Sequence, residues 1–78
     1  MNKARRKELC RIAEELENQL AALDAVASEE REAYNNLPES LQEGDKGCAM
    51  EEAADELDDI CSELSDLRDR IVEVVENY

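Results

Sequence analysis

The regular spacing of apolar residues from Met50 to Tyr78 constrains the fold of this chain more than any other feature. The intervals alternate between three and four residues, which places the side chains on one face of an α-helix, at positions a and d of a heptad written a to g. Ala54, Cys61 and Val75 occupy the adjacent e positions. The pattern therefore predicts a long amphipathic helix with a wide apolar stripe. The a and d residues are Met50, Ala53, Leu57, Ile60, Leu64, Leu67, Ile71, Val74 and Tyr78.

The first half of the chain carries a similar pattern, interrupted by the polar residues Gln19 and Glu30. Its a and d residues are Leu9, Ile12, Leu16, Leu23, Val26, Ala33 and Leu37, and its e residues are Ala13, Leu20, Ala27 and Tyr34. A stripe that includes e suits a bundle in which each helix touches two neighbours, whereas a two-stranded coiled coil needs only a and d.

The segment "YNNLPESLQEGDKG" separates the two patterns. Pro38 disfavours helical geometry at the residue before it, and Gly44 and Gly47 permit positive φ. We expect one helix over about 3–35, a connection over about 36–47 in which "PESLQ" forms a short turn beginning at Pro38, and a second helix over about 48–77. Residues 1–78 would then form one all-α domain, an antiparallel hairpin of two long amphipathic helices.

One hairpin cannot cover stripes of this width, so we expect two hairpins to dimerise into a four-helix bundle. The predicted oligomer seam consists of Leu9, Ile12, Leu16, Leu20, Leu23, Leu57, Ile60, Leu64, Leu67, Ile71 and Val74. The alternative is a monomer that covers its stripe only against a foreign protein.

Composition argues against several classes of protein. A net charge of −13 disfavours direct nucleic-acid binding, and no apolar run approaches the ~20 residues that a membrane span requires. The first residues lack the apolar core of a signal peptide, and Cys10, Cys48 and Cys61 form no disulfide framework. We expect reduced thiols and a cytoplasmic protein.

Catalytic and metal-binding patterns are not recognisable in the sequence. Histidine is missing, the carboxylates fall on the outer face of a predicted helix, and three scattered cysteines do not make a zinc site. We therefore expect a protein that is not an enzyme, with no cofactor and no metal.

An acidic run without a single Lys or Arg occupies the start of the second helix. Its eight members are Glu51, Glu52, Asp55, Glu56, Asp58, Asp59, Glu63 and Asp66. The run is either the solvated face of an ordinary helix or a partner-binding surface that imitates nucleic acid. The second interpretation rests on charge density, about one charge per 3 Å of helix, within a factor of two of the one per ~1.7 Å along duplex DNA.

A basic cluster at the N-terminus, formed by Lys3, Arg5, Arg6 and Lys7, also has two interpretations. In an antiparallel hairpin it would lie near Glu76–Tyr78, with Arg11 facing Glu73, and would pair with the acidic end of the second helix. Alternatively, cations at a helix start are candidates for phosphate or nucleotide binding.

The segments "NLPESLQ" and "AMEEA" resemble a pattern in small acidic proteins of phages and mobile elements of Gram-positive bacteria. The resemblance implies a helical hairpin and a host-cell setting, and it assigns no activity or site residue. By analogy with small phage proteins, we expect a stoichiometric inhibitor that binds a host protein through its acidic face, in the manner of a DNA mimic or an anti-CRISPR protein. The alternatives are a homo-oligomeric assembly protein and a nucleotide-signal sponge.

Overall fold

The computed structural model describes all 78 residues and contains three helices. They are α1 (Lys3–Asn35), the four-residue α2 (Glu39–Gln42) and α3 (Asp45–Asn77). The long helices α1 and α3 pack against each other in an antiparallel pair that measures 58 × 15 × 12 Å. The predicted all-α helical hairpin is confirmed.

Local sequence accounts for the helix ends and the turn. The side chain of Asn2 accepts a hydrogen bond from the backbone N–H of Arg5 at 2.8 Å and caps α1. In the connection, the side-chain amide of Gln42 donates to the carbonyl oxygens of Tyr34 and Leu37, each at 3.2 Å. These bonds tie α2 to the end of α1 and to the residue before Pro38, and they add to the bond that the Leu37 N–H donates to the Tyr34 carbonyl.

The expected start of the second helix at residue 48 is wrong, because α3 begins at Asp45. Gly44 is its N-cap, with extended backbone geometry, and Asp45 places a negative charge in the first turn, where the helix dipole favours it. Neither Gly44 nor Gly47 has a positive φ, contrary to the expectation. Gly47 lies inside the helix instead, where a Cβ would overlap the carbonyl oxygens of Leu41 and Gln42. Pro38 precedes α2 as its N-cap.

The contact between α1 and α3 is centred on small side chains. Only four residues are buried, namely Ala13, Ala27, Ala54 and Gly47, and no large side chain is fully enclosed. The three alanines occupy e positions, and the leucines at a positions beside them are half-buried. The hairpin therefore meets along its e columns, which leaves much of the predicted stripe uncovered.

Candidate interaction surfaces

The two sides of the hairpin differ in chemistry. In an antiparallel pair that meets along e, the a and d columns of both helices turn toward the same side. Four large d residues on that side are open, with Val26 53%, Leu67 50%, Ile60 39% and Val74 38% exposed. A groove there is lined by residues of both helices, among them Leu16, Leu64, Leu67, Ile71, Val74 and Tyr78. We call this side, formed by the a and d residues, the apolar face.

The opposite side of the hairpin is polar and crossed by ion pairs. Nη2 of Arg31 on α1 lies 2.7 Å from a carboxylate oxygen of Asp55 and 2.9 Å from one of Asp58, both on α3. Hydrogen bonding to Asp55, and then to Asp58, raises the pKa of Arg31. Nearer the chain ends, Nη1 of Arg68 lies 3.5 Å from Glu17. These pairs connect the two helices on the side away from the apolar face.

Part of the acidic run is therefore compensated across the hairpin. Arg31 pairs with Asp55 and Asp58, although the run itself contains no cation. Glu51 lies near Tyr34, and the hydrogen bond that the Tyr34 hydroxyl can donate to it raises the pKa of Tyr34. Both contacts come from α1. Three of the eight acids thus have neighbours that the local sequence does not show.

The remaining five acids form a continuous line that we call the acidic stripe. All five are exposed and none has an ion-pair partner within 4.0 Å. They occupy c and g positions, opposite e on the helix, so they lie on the outer edge of α3 and point away from α1. The acidic stripe consists of Glu52, Glu56, Asp59, Glu63 and Asp66.

The N-terminal cations do not form the predicted pairs with the end of α3. Arg11 contacts Glu8 at 2.5 Å and Glu15 at 2.8 Å on its own helix, and not Glu73, because these acids lie one turn away on the same face. The hydrogen bond from Arg11 lowers the pKa of Glu8.

The four cations of the basic cluster, Lys3, Arg5, Arg6 and Lys7, are exposed and make no ion pair in the hairpin. The end-to-end contact is instead a hydrogen bond from the amino group of Met1 to the carbonyl oxygen of Tyr78, at 3.0 Å. A phosphate-binding role for the cluster stays a prediction.

Arg68 is the residue that sequence reasoning missed. It occupies the e column of α3 between Cys61 and Val75, in the contact with α1, and its Nε atom is buried without a hydrogen-bond partner. Its Nη2 atom lies 2.8 Å from Asp69. The signal was the single charged residue in an otherwise apolar e column, which identifies a cation directed at the neighbouring helix.

The cysteines and the acidic residues are not grouped into a recognisable binding site. All three cysteines are free, with Cys10 and Cys48 exposed and Cys61, at its e position, half-buried. Burial raises the pKa of Cys61, with a smaller contribution from the nearby Asp24 carboxylate. No three His, Cys, Asp or Glu side chains are grouped so that they could hold a metal ion. Neither long helix contains a segment apolar enough to cross a bilayer.

Comparisons with known proteins identify no relative. No family model, characterised protein or solved structure matches this chain. A functional proposal therefore depends on the apolar face, the acidic stripe and the basic cluster of the hairpin itself.

Proposed function

We propose that this chain is a non-catalytic binding protein that holds a basic surface of another protein against its acidic stripe. The observation that carries the proposal is the alignment of Glu52, Glu56, Asp59, Glu63 and Asp66 on one exposed edge without any cation in pairing distance. Ordinary surface helices gain pair energy by placing Lys or Arg four residues from an acid. Along this edge of α3 only Arg70, four residues after Asp66, is placed in that way, and it makes no ion pair.

The geometry also supports a proposal for the kind of partner. The stripe is straight, convex and about 20 Å long, since it covers fourteen residue steps of 1.5 Å each. A protein that grips the phosphates of duplex DNA presents a complementary row of Lys and Arg. The proposed partner is therefore a nucleic-acid-binding protein of the host cell, and the proposed action is stoichiometric competition with its nucleic acid.

A stripe-neutralised variant tests this proposal against a charge-matched control. In the variant, the five stripe acids become Gln or Asn. In the control, five exposed acids outside the stripe are neutralised instead: Glu14, Glu29, Glu32, Glu39 and Glu43. Both variants lose the same formal charge, so a difference between them reports position rather than net charge.

The measurement is a pull-down from a Gram-positive bacterial lysate, followed by displacement with duplex DNA. We expect the wild type and the control to retain one basic protein that DNA displaces and that rising salt releases steeply. The stripe-neutralised variant should lose it. Equal retention by all three proteins, or capture that DNA does not displace, would contradict the proposal.

Homo-oligomeric assembly is the second candidate, and the apolar face favours it. Only four residues are buried in one hairpin, while leucine, isoleucine and valine side chains remain open on one side. Exposed apolar patches of this kind are typical of interaction sites. Light scattering after size exclusion at micromolar concentration decides it, and a monomer that stays helical on dilution would exclude it.

A further inference from the structure

Two charged side chains in the apolar columns of α1 indicate what covers the apolar face. Arg5 is at a d position and Glu30 is at an a position, near opposite ends of the helix. Glu30 is half-buried beside the apolar residues, and neither side chain has an ion-pair partner in the hairpin. A partially desolvated carboxylate without a partner is unfavourable, so the surface that covers the apolar face should supply a cation at this point.

We infer that a second copy of this chain covers the apolar face in a head-to-tail orientation, with the two connections at opposite ends of the dimer. This orientation packs α1 antiparallel to α1 of the second copy, and α3 likewise to α3. Because Arg5 is two residues from the start of α1 and Glu30 is five residues from its end, full overlap brings them within one helical turn of each other, about 5.4 Å.

The heptad pattern fixes the register more closely. Antiparallel helices align a with d, and the available registers differ by seven residues. In the register that places Arg5 opposite Glu30 of the second copy, Leu9 faces Val26 and Ile12 faces Leu23. A shift of one heptad places Glu30 opposite Ile12 and leaves its charge without a partner. The twofold symmetry forms the Arg5–Glu30 pair twice.

The opposite orientation, with both connections at the same end, lacks this complementarity. It packs α1 on α3 of the second copy, and Glu30 then lies at the level of Asp55, as the contact of Arg31 with Asp55 shows within one hairpin. The charges nearest that position on α3 are Glu52 and Glu56, which repel Glu30, whereas Lys46, the cation in the d column of α3, lies about two helical turns away. It also brings both basic clusters together at one end, whereas the head-to-tail dimer separates them.

Charge reversal at the two positions tests this inference. We expect Arg5→Glu and Glu30→Arg each to raise the dimer dissociation constant about tenfold or more, and an equimolar mixture of the two variants to restore association. A new acid in the first turn of α1 favours the helix, so weaker association of Arg5→Glu would not come from helix loss. If mixing restores association, the result is a gain of binding, which two misfolded variants could not produce. The matched reversals Lys7→Glu and Glu32→Arg, at outward positions, should leave the constant nearly unchanged.

A spin-label distance measurement tests the orientation independently of these charges. Ser40→Cys places a label in the connection, in a background with Cys10, Cys48 and Cys61 replaced by Ser or Ala. Head-to-tail packing predicts a distance between labels that approaches the 58 Å length of the hairpin. A distance near its 15 Å width would overturn the inference, as would single reversals that associate like the wild type.

The experiment separates this inference from the proposed function. Glu56 and Glu63 of the acidic stripe are at g positions and border the apolar face. Neutralising the stripe removes like charges beside the interface, so this variant should dimerise at least as well as the wild type while losing its basic partner. Conversely, the Arg5→Glu variant retains the complete stripe. Loss of one property in each variant, with the other intact, would assign the two surfaces separately.

Discussion

Arg31 on α1 and Asp55 on α3, 24 residues apart in sequence, are joined by a hydrogen bond of 2.7 Å between Nη2 and Oδ1. The same guanidinium nitrogen reaches Asp58, so a single cation connects α1 to two successive turns of α3. This bridge holds α1 and α3 together in the half of the hairpin nearest the connection, on its polar side. It also reduces the repulsion within the acidic run, which the local sequence leaves without any cation.

The first prediction concerns this bridge. Arg31→Gln should lower the melting temperature slightly, because the pair is partly solvated and surface ion pairs contribute little. The difference from the wild type should shrink as salt is added, since mobile ions screen the charges. Arg70→Gln is the control, because Arg70 is exposed and has no ion pair. Thermal melts by circular dichroism measure both, and an equal or larger effect at Arg70 would contradict a role for the bridge.

A second prediction compares the two glycines at the start of α3, the N-cap Gly44 and Gly47 inside the helix. Gly47→Ala should destabilise the fold by about 1–3 kcal/mol, although alanine favours helices, because its Cβ would overlap backbone oxygens of Leu41 and Gln42. Gly44→Ala meets nothing closer than 3.5 Å and should change stability much less. Urea denaturation provides the comparison. If Gly47→Ala is the more stable variant, the close packing of α2 on α3 is wrong.

The helices and their contact were predictable from the sequence to different degrees. The alternation of three and four residues predicts both long helices, because this spacing depends only on how side chains are arranged around a single helix. The start of α3 was not predictable, since the role of Gly47 depends on how α2 folds back onto it. Heptad letters likewise define a stripe of a, d and e but do not say which column one hairpin covers. The structure shows that Ala13, Ala27 and Ala54 bring the e columns together.

The candidate surfaces show the same limit. The acidic run is visible in the sequence, but its division into compensated and free acids depends on Arg31, which is distant in sequence. The predicted contact of Arg11 with Glu73 was wrong because Glu8 and Glu15 are nearer on the same helix. Contacts within one helix follow from the spacing of residues. Contacts between helices depend on how each helix is oriented about its own axis, and the sequence pattern does not determine that orientation.

A third prediction concerns Arg68, whose Nε atom is buried in the helix contact without a partner. Arg68→Met keeps much of the volume and removes the unsatisfied donor, so we expect equal or greater stability. Glu17→Gln, which removes only the partner at 3.5 Å, should destabilise slightly. Denaturation midpoints of the two variants test this. A clear loss of stability in Arg68→Met would mean that the cation supports the fold through its pairs with Glu17 and Asp69.

The fourth prediction concerns thiol reactivity. Burial raises the pKa of Cys61, so at a given pH near 8 it carries less thiolate than an exposed thiol, and its half-buried position also hinders access. Cys10 and Cys48 should react quickly with a thiol reagent, and Cys61 slowly. Raising the pH should accelerate Cys61, because the thiolate fraction grows toward its raised pKa. Three equal rates in the folded protein would contradict the e-column contact around Cys61.

The last prediction compares two leucines, Leu64 and Leu67, on α3. Leu64 is half-buried in the hairpin itself, so Leu64→Asp should lower the free energy of unfolding by several kcal/mol. A single core in a chain this short supplies only ~3–5 kcal/mol, so the helical signal should be lost.

Leu67 is 50% exposed in one hairpin. If the hairpin stands alone, Leu67→Asp is mild. If a second copy covers the apolar face, Leu67→Asp buries a charge at the interface and should dissociate the dimer and lower its unfolding midpoint together. Light scattering and thermal melts at two protein concentrations measure both effects, with Asp66→Asn as the outward control. A Leu67→Asp variant that melts like the wild type at both concentrations would show that no second copy covers this face.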